Sequence, residues 1–299
     1  MSDYAWSAQA LGAAWQEVLK VLATISSEPE VEARWLFQQV GLSPQDCRFR
    51  SQDPLASSAS RFLEAALRRR LAREPLQHIL GTQPFRHLEL RVNRDVLIPR
   101  PETEQLVDLV LAACHKQLTQ RERVRVLDVG TGSGAIALAL KQECPELDVW
   151  ASDLSEKALA IARSNAQTLA LAVRFIQGDG LHALLSLPEP QPCFDILVSN
   201  PPYIPVTELA ELEPEVREYE PVQALVPPVA DPLYFYKHFA QWGPRILNLH
   251  GLVFFEIHSA LGPETLACFE APTWQNTRLH QDFQKKDRYV ESELGRMIK

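Results

Sequence analysis

The chain predicts an α/β protein in which a doubly wound parallel sheet follows a small helical bundle and a β-hairpin. Three observations carry this. From residue 124 onward, short apolar strands alternate with helical patterns over brief connections. Before residue 80, apolar residues recur only at helical spacing. Between the two lies a stretch of alternating apolar residues that closes on two prolines.

The elements follow in order. Leu11, Trp15, Val18, Leu22 and Ile25 make one amphipathic stripe. Val31, Trp35, Leu36 and Val40 repeat it, and Gly41 supplies a helix stop. Phe62, Leu63, Ala66, Leu67 and Leu71 form a third helix, ended by Glu74-Pro75. Residues 1–80 therefore read as a helical bundle, either a stabilising cap or a substrate-docking module. Residues 81–104 change character. Phe85, Leu88, Leu90, Val92 and residues 96–98 suggest a hairpin linker, closed by Ile98-Pro99-Arg100-Pro101-Glu102-Thr103-Glu104. Thr103 or Glu102 can begin the next helix, through Leu106, Val107, Val110 and Leu111.

Residues 105–299 form the third region. Strands are expected at 124–129, 148–152, 173–177, 194–199 and 252–257, with helices at 135–143 and ending near 166. Continuous apolar strands and short connections point to a parallel sheet covered on both faces. Residues 278–281 and 288–291 are expected to close it as an antiparallel pair.

Composition excludes several classes. Of 299 residues, 46% are hydrophobic and 23% charged, ordinary values for a soluble enzyme. Residues 1–80 balance nine basic against nine acidic residues, so the net charge of −8 falls on the rest. A surface that tracks duplex phosphates needs clustered Lys and Arg, which this region lacks. The basic run Arg68-Arg69-Arg70 with Arg73 reads as a solvated helix face rather than an RNA contact. Cys47, Cys114, Cys144, Cys193 and Cys268 have neither metal-ligand nor redox spacing, as expected of reduced thiols. Met1-Ser2-Asp3-Tyr4 opens no signal peptide, and no apolar stretch approaches the ~18 residues of a membrane span. A cytoplasmic monomer is expected, with no metal.

Two turns carry the chemistry. Asp128-Val129-Gly130-Thr131-Gly132-Ser133-Gly134 follows the first strand of the sheet and opens a helix. Its glycines let the backbone turn sharply and approach a ligand, although their spacing differs from the dinucleotide-binding pattern. Asp153 ends the second strand about 20 residues later, where a carboxylate accepts both hydroxyls of a ribose or caps the next helix. Asp179, in Gly178-Asp179-Gly180, is placed to meet an adenine edge or is an ordinary turn aspartate. The second turn, Ser199-Asn200-Pro201-Pro202-Tyr203, follows the strand at 194–199. Two prolines stiffen it and remove backbone donors, leaving carbonyls and the Asn200 side chain as fixed acceptors beside a tyrosine ring. Such a site suits a planar group bearing an NH2.

At this point the chain resembles the class I (Rossmann-like) S-adenosylmethionine-dependent methyltransferases. More closely, it is similar to the HemK/PrmC family, protein-(glutamine-N5) methyltransferases of peptide chain release factors. The resemblance rests on Glu74-Pro75-Leu76-Gln77-His78-Ile79-Leu80-Gly81, then Leu97 through Glu104, Asp128 through Gly134 and Ser199 through Tyr203. Tyr219-Glu220-Pro221 with Ala224-Leu225, Glu256-Ile257 and Asp287-Arg288 complete it. It implies methyl transfer from S-adenosylmethionine to the glutamine of a Gly-Gly-Gln segment, hence a role in translation termination. It puts Gly130, Thr131, Gly132, Ser133, Gly134, Asp153, Asp179, Gly180 and Asn200 at the cofactor, and Asn200, Pro201, Pro202, Tyr203 and Arg100 at the substrate. The chain departs from the family pattern at Gly180, His258, Leu261 and residues 226–232.

An amide nitrogen is a poor nucleophile, so the task is positioning. Hydrogen bonds from the substrate NH2 to the Asn200 side-chain oxygen and the Pro201 carbonyl would aim it at the methyl and stabilise developing positive charge. Tyr203 would pack on the planar amide. Asn200, Pro201 and Tyr203 are thus the candidate catalytic residues. Arg100 would hold the cofactor carboxylate or a peptide backbone, or pair with Glu102. His78 and His258 read as structural histidines, and Glu256 as a partner for a helix N-terminus or for substrate. The alternatives are an adenine-N6 nucleic-acid methyltransferase, disfavoured by the acidic balance, and a cofactor-binding scaffold without activity.

Overall fold

A computed structural model describes residues 6, 8–185 and 193–295, so the expectation at Met1-Ser2-Asp3-Tyr4 lies outside it. The chain divides into two units, residues 1–81 with Glu213–Tyr219, and Thr82–Leu212 with the remainder from Glu220.

In the first unit the predicted stripes become helices α1 (Leu11–Leu22), α2 (Pro29–Gln38), α3 (Pro44–Phe49), α4 (Ser57–Leu71) and α5 (Leu76–Leu80). Pro29 opens α2, where its missing N–H has no partner to lose. Gly41 follows α2 at φ +72°. Ser43 and Asp46 cap α3 reciprocally. Val18, Leu22, Leu36, Phe37, Leu63 and Leu67 form one apolar core. The basic run is no plain solvated face. Arg70 is 5% exposed, bonded to Glu32 at 2.8 Å and to Glu215 at 2.9 Å. Arg69 pairs with Glu74, and Arg73 with Glu213 and Glu215. The pattern alone misses this because Glu213 and Glu215 come from the distant segment that folds into this unit.

The second unit begins with the antiparallel hairpin β1 (Thr82–Phe85) and β2 (Leu88–Arg91). Residues 96–98 are not part of it. The Asn93 side chain accepts from the Asp95 N–H, turning the chain, and Pro99 has no N–H for a ladder. Helix α6 (Pro101–Leu118) starts on a proline at its first position. Then come β3 (Arg125–Val129), α7 (Ala135–Glu143), β4 (Asp148–Asp153), α8 (Glu156–Thr168), β5 (Arg174–Gln177), β6 (Phe194–Ser199) and β7 (Leu247–Glu256), and finally β8 (Trp274–Gln281) and β9 (Asp287–Leu294). The sheet order is β5-β4-β3-β6-β7-β9-β8. β3 to β7 are parallel, and β9 pairs antiparallel with both β7 and β8. Every residue of β6 is buried, as a central parallel strand covered on both faces requires. Leu106, Val110, Ile136 and Leu140 belong to one apolar core of this unit, and Leu127, Leu197, Phe239 and Phe255 to another.

Candidate active site

β3 and β6 are neighbours, in register through Val126 and Ile196, Leu127 and Leu197, and Asp128 and Val198. The chain runs from β3 through β4 to β5 on one side and from β6 to β7 on the other. In an open parallel sheet such a reversal leaves a crevice at the carboxyl ends of the strands. Both turns singled out in the sequence leave those ends. The Ser199 hydroxyl ties them by donating to the Val129 carbonyl at 2.6 Å.

The crevice is a cavity of about 140 Å³ whose walls include Gly130, Gly132, Asp153, Asp179, Gly180, Asn200, Pro201 and Pro202. Gly130 and Gly132 have φ of +73° and +57°, and a Cβ on either would meet nothing within 4 Å. Their backbones therefore face open space, in a conformation that only glycine adopts readily. Gly134 differs: a Cβ there would lie 2.9 Å from Leu138 Cδ1, so this glycine serves helix packing. Thr131 and Ser133 are not in the wall either. The Thr131 hydroxyl donates to Asp128 Oδ2 at 2.6 Å, and the Ser133 carbonyl accepts from Asn165.

Asp128 is fully buried, and burial pushes its carboxyl up to about 7, although bonds from Thr131 and the Ala137 N–H oppose the shift. Asp153 accepts the Gly132 N–H through Oδ2 and the Ser155 N–H through Oδ1, each at 2.9 Å. Those bonds fix its plane and leave a lone pair on each oxygen. Burial raises its pKa, with the backbone N–H groups pulling the other way.

Asn200 is held from behind. Its Nδ2 donates to the Thr103 hydroxyl at 3.1 Å, and that hydroxyl donates to Glu256 Oε2 at 2.7 Å. The Tyr203 hydroxyl donates to the other carboxylate oxygen at 3.0 Å, and Tyr236 donates to the Glu256 carbonyl. Tyr203 thus turns toward Glu256 and is not among the residues lining the crevice. Burial raises the Glu256 carboxyl, while the two hydroxyls and the charge of Arg288 lower it. Among the described residues, none donates to Asn200 Oδ1 or to the Pro201 carbonyl.

Arg100 does not pair with Glu102. It bonds the buried Glu220, whose second oxygen accepts the Ile98 N–H. His258 is tied to Glu208 and to the Ala260 N–H, a structural arrangement. The roles of Thr103 and Glu220 were not legible in the sequence. For Glu256 there was a signal, a carboxylate ending the apolar run of β7.

Two family descriptions match the chain: PrmC N-terminal domain over residues 13–81 and Methyltransferase small domain over residues 104–211. Curated relatives extend over most of it. The Release factor glutamine methyltransferase of Bacteroides thetaiotaomicron is 38% identical over 79% of this chain and 82% of its own. That of Chlorobaculum tepidum is 37% identical over 87% and 89%. The relative of the same name in Lactococcus lactis is 35% identical over 92% and 98%.

Proposed function

The chain belongs to the release factor glutamine methyltransferase family, and on that premise we propose that it moves a methyl group from S-adenosylmethionine to a glutamine side-chain amide of a release factor. The crevice fits the cofactor. Gly130 and Gly132 offer bare backbone with room in front of it, and Asp153 holds two fixed oxygens with free lone pairs, as a ribose diol requires. Asp179 and Gly180 would border the base. When bound, S-adenosylmethionine supplies an electrophilic methyl on a sulfonium, whose departure as a thioether leaves one proton for the amide nitrogen to lose.

The protein's own contribution is at Asn200 and Pro201. The single observation that carries the reading is the pair of acceptors there, Asn200 Oδ1 and the Pro201 carbonyl, with no protein donor among the described residues. A substrate NH2 giving one hydrogen to each would be held with its lone pair toward the methyl, and charge growing on nitrogen would meet two fixed dipoles. Pro202 stiffens the turn, and the Tyr203 hydroxyl ties it to Glu256. Arg100 is bonded to Glu220, so it would meet substrate only through its remaining donors. The relatives favour glutamine over the adenine-N6 alternative. The reading includes a monomer working in the cytoplasm on a protein substrate, without duplex binding, in keeping with the net charge of −8. Among the described residues no helix is long and apolar enough to cross a membrane.

Asn200→Ala tests the site. With a purified release factor and labelled cofactor, the variant should bind S-adenosylmethionine normally yet lose about 2–4 kcal/mol of transition-state stabilisation, by analogy with a lost oxyanion-hole donor. Turnover near that of the parent would remove Asn200 from the mechanism.

A further inference from the structure

We infer that Glu256 and Thr103 are positioning residues that set which way the Asn200 amide faces, and so make this site select an NH2 over a carboxylate. The inference rests on the reading that Asn200 accepts the substrate amide.

The argument is one of hydrogen-bond direction. An asparagine amide presents an acceptor oxygen on one side and a donor NH2 on the other, with nearly the same shape. Only the surrounding network decides which side faces the crevice. Here the network ends in Glu256, which is 1% exposed and, when ionised, offers only acceptors. Its Oε2 takes the one proton of Thr103, at 2.7 Å. Its Oε1 takes the Tyr203 proton, so the carboxylate is bonded on both oxygens. With its proton spent, the Thr103 oxygen is left as an acceptor, and the Asn200 group 3.1 Å from it must be the NH2. Asn200 Oδ1 then faces away, toward the crevice. Reversing the bonds from Glu256 through Thr103 to Asn200 would bring the NH2 forward, where it would repel a substrate amide donor and welcome a carboxylate.

Thr103 sits in the first turn of α6 and Glu256 at the end of β7, so two rigid elements hold the chain of bonds. Both are buried, and a buried polar network keeps its direction because a reversed bond would leave an acceptor facing an acceptor.

The test uses Thr103→Val, which keeps the shape and removes the hydroxyl, with Thr103→Ser as the conservative variant. Methyl transfer to a release factor is measured at saturating S-adenosylmethionine, with cofactor affinity measured separately. Thr103→Val should lower kcat about 10- to 100-fold with cofactor affinity within about twofold, and Thr103→Ser should stay within about threefold of the parent. A second readout separates positioning from general damage. A release factor whose acceptor glutamine is replaced by glutamate should inhibit the parent weakly. Against Thr103→Val it should bind at least about fivefold more tightly relative to the glutamine form, because the freed amide can turn its NH2 forward. If Thr103→Val does not fold, Glu256→Gln gives the same readout, since a glutamine there can donate to Thr103 and reverse the chain.

Unchanged kcat in Thr103→Val overturns the inference. So does a fall in kcat with no change in the preference between glutamine and glutamate. An inactive Asn200→Ala beside a fully active Thr103→Val would overturn this inference alone, whereas a fully active Asn200→Ala would overturn the reading beneath it.

Discussion

The Arg100 guanidinium lies 2.5 Å from the Glu220 carboxylate across 120 residues of sequence. Glu220 is buried, and its other oxygen accepts the Ile98 N–H, so one carboxylate ties down the strap that precedes α6. Burial raises the Glu220 pKa, and the arginine beside it holds the charge in place. Arg100→Met therefore strands a buried charge and should destabilise the protein by about 3 kcal/mol. Adding Glu220→Gln should recover most of that loss, as read from urea midpoints. A double variant as unstable as Arg100→Met would mean that the arginine acts through packing and not through this pair.

The two ends of the glycine turn should respond differently to alanine. At Gly130 the new Cβ enters the open crevice, so the variant should lose about 1 kcal/mol of stability to its positive φ and most of its cofactor affinity. At Gly134, where φ is +87°, the Cβ instead meets Leu138 Cδ1 at 2.9 Å and Ala162 Cβ at 3.3 Å. Gly134→Ala should cost about 2–3 kcal/mol of stability, through overpacking added to backbone strain. Thermal unfolding with and without S-adenosylmethionine separates the two effects. Equal loss of cofactor affinity at equal stability would contradict the division of labour.

Arg70 makes a parallel case inside the helical unit. It is bonded to Glu32 and Glu215, whose side chains are each 16% exposed. Arg70→Met leaves the partly buried Glu32 without its arginine and Glu215 with Arg73 alone, and should lower unfolding stability by about 3 kcal/mol. Arg68, on the exposed side of the same helix with Glu64 four residues away, should lose under about 0.5 kcal/mol on the same change. Equal effects at the two positions would return the basic run to the solvated face that its sequence suggests.

What was legible follows from the range of the interactions. Alternating strands and helices are written locally, and β4 and α7 fall where their apolar patterns put them, while Gly41 ends its helix by a purely local rule. The crevice was legible because a parallel sheet delivers the ends of β3 and β6 to one place. The support behind it was not. Thr103 and Glu256 are 153 residues apart, and Arg70 and Glu215 are 145 apart. No periodicity links such partners, so the carboxylates that hold Arg100 and Tyr203 leave no mark in the sequence. The start of β7 at Leu247 was hidden for a related reason. Leu247 pairs with Phe194 of β6 and the ladder is interrupted until Leu252, so the polar Asn248 and His250 between them carry no strand pattern.

Asp128 gives a prediction in pH. Burial holds its carboxyl at about 7 against an ordinary 3.8, and its Oδ1 has no hydrogen-bond partner among the described residues. An acid whose folded pKa is raised binds its proton more tightly folded than unfolded. Its contribution to stability is therefore whole below about 3.8 and is lost as pH climbs through about 7. Asp128→Asn carries no such proton. It keeps an oxygen to accept the Thr131 hydroxyl and the Ala137 N–H, the bonds that brace the glycine turn. The stability of the variant relative to the parent should rise between about pH 4 and pH 7, by at most about 1.4 kcal/mol per pH unit, and level off above. Denaturant unfolding of both proteins across that range is the measurement. A difference that stays flat would mean that Thr131 and Ala137 stabilise the carboxylate enough to cancel its burial.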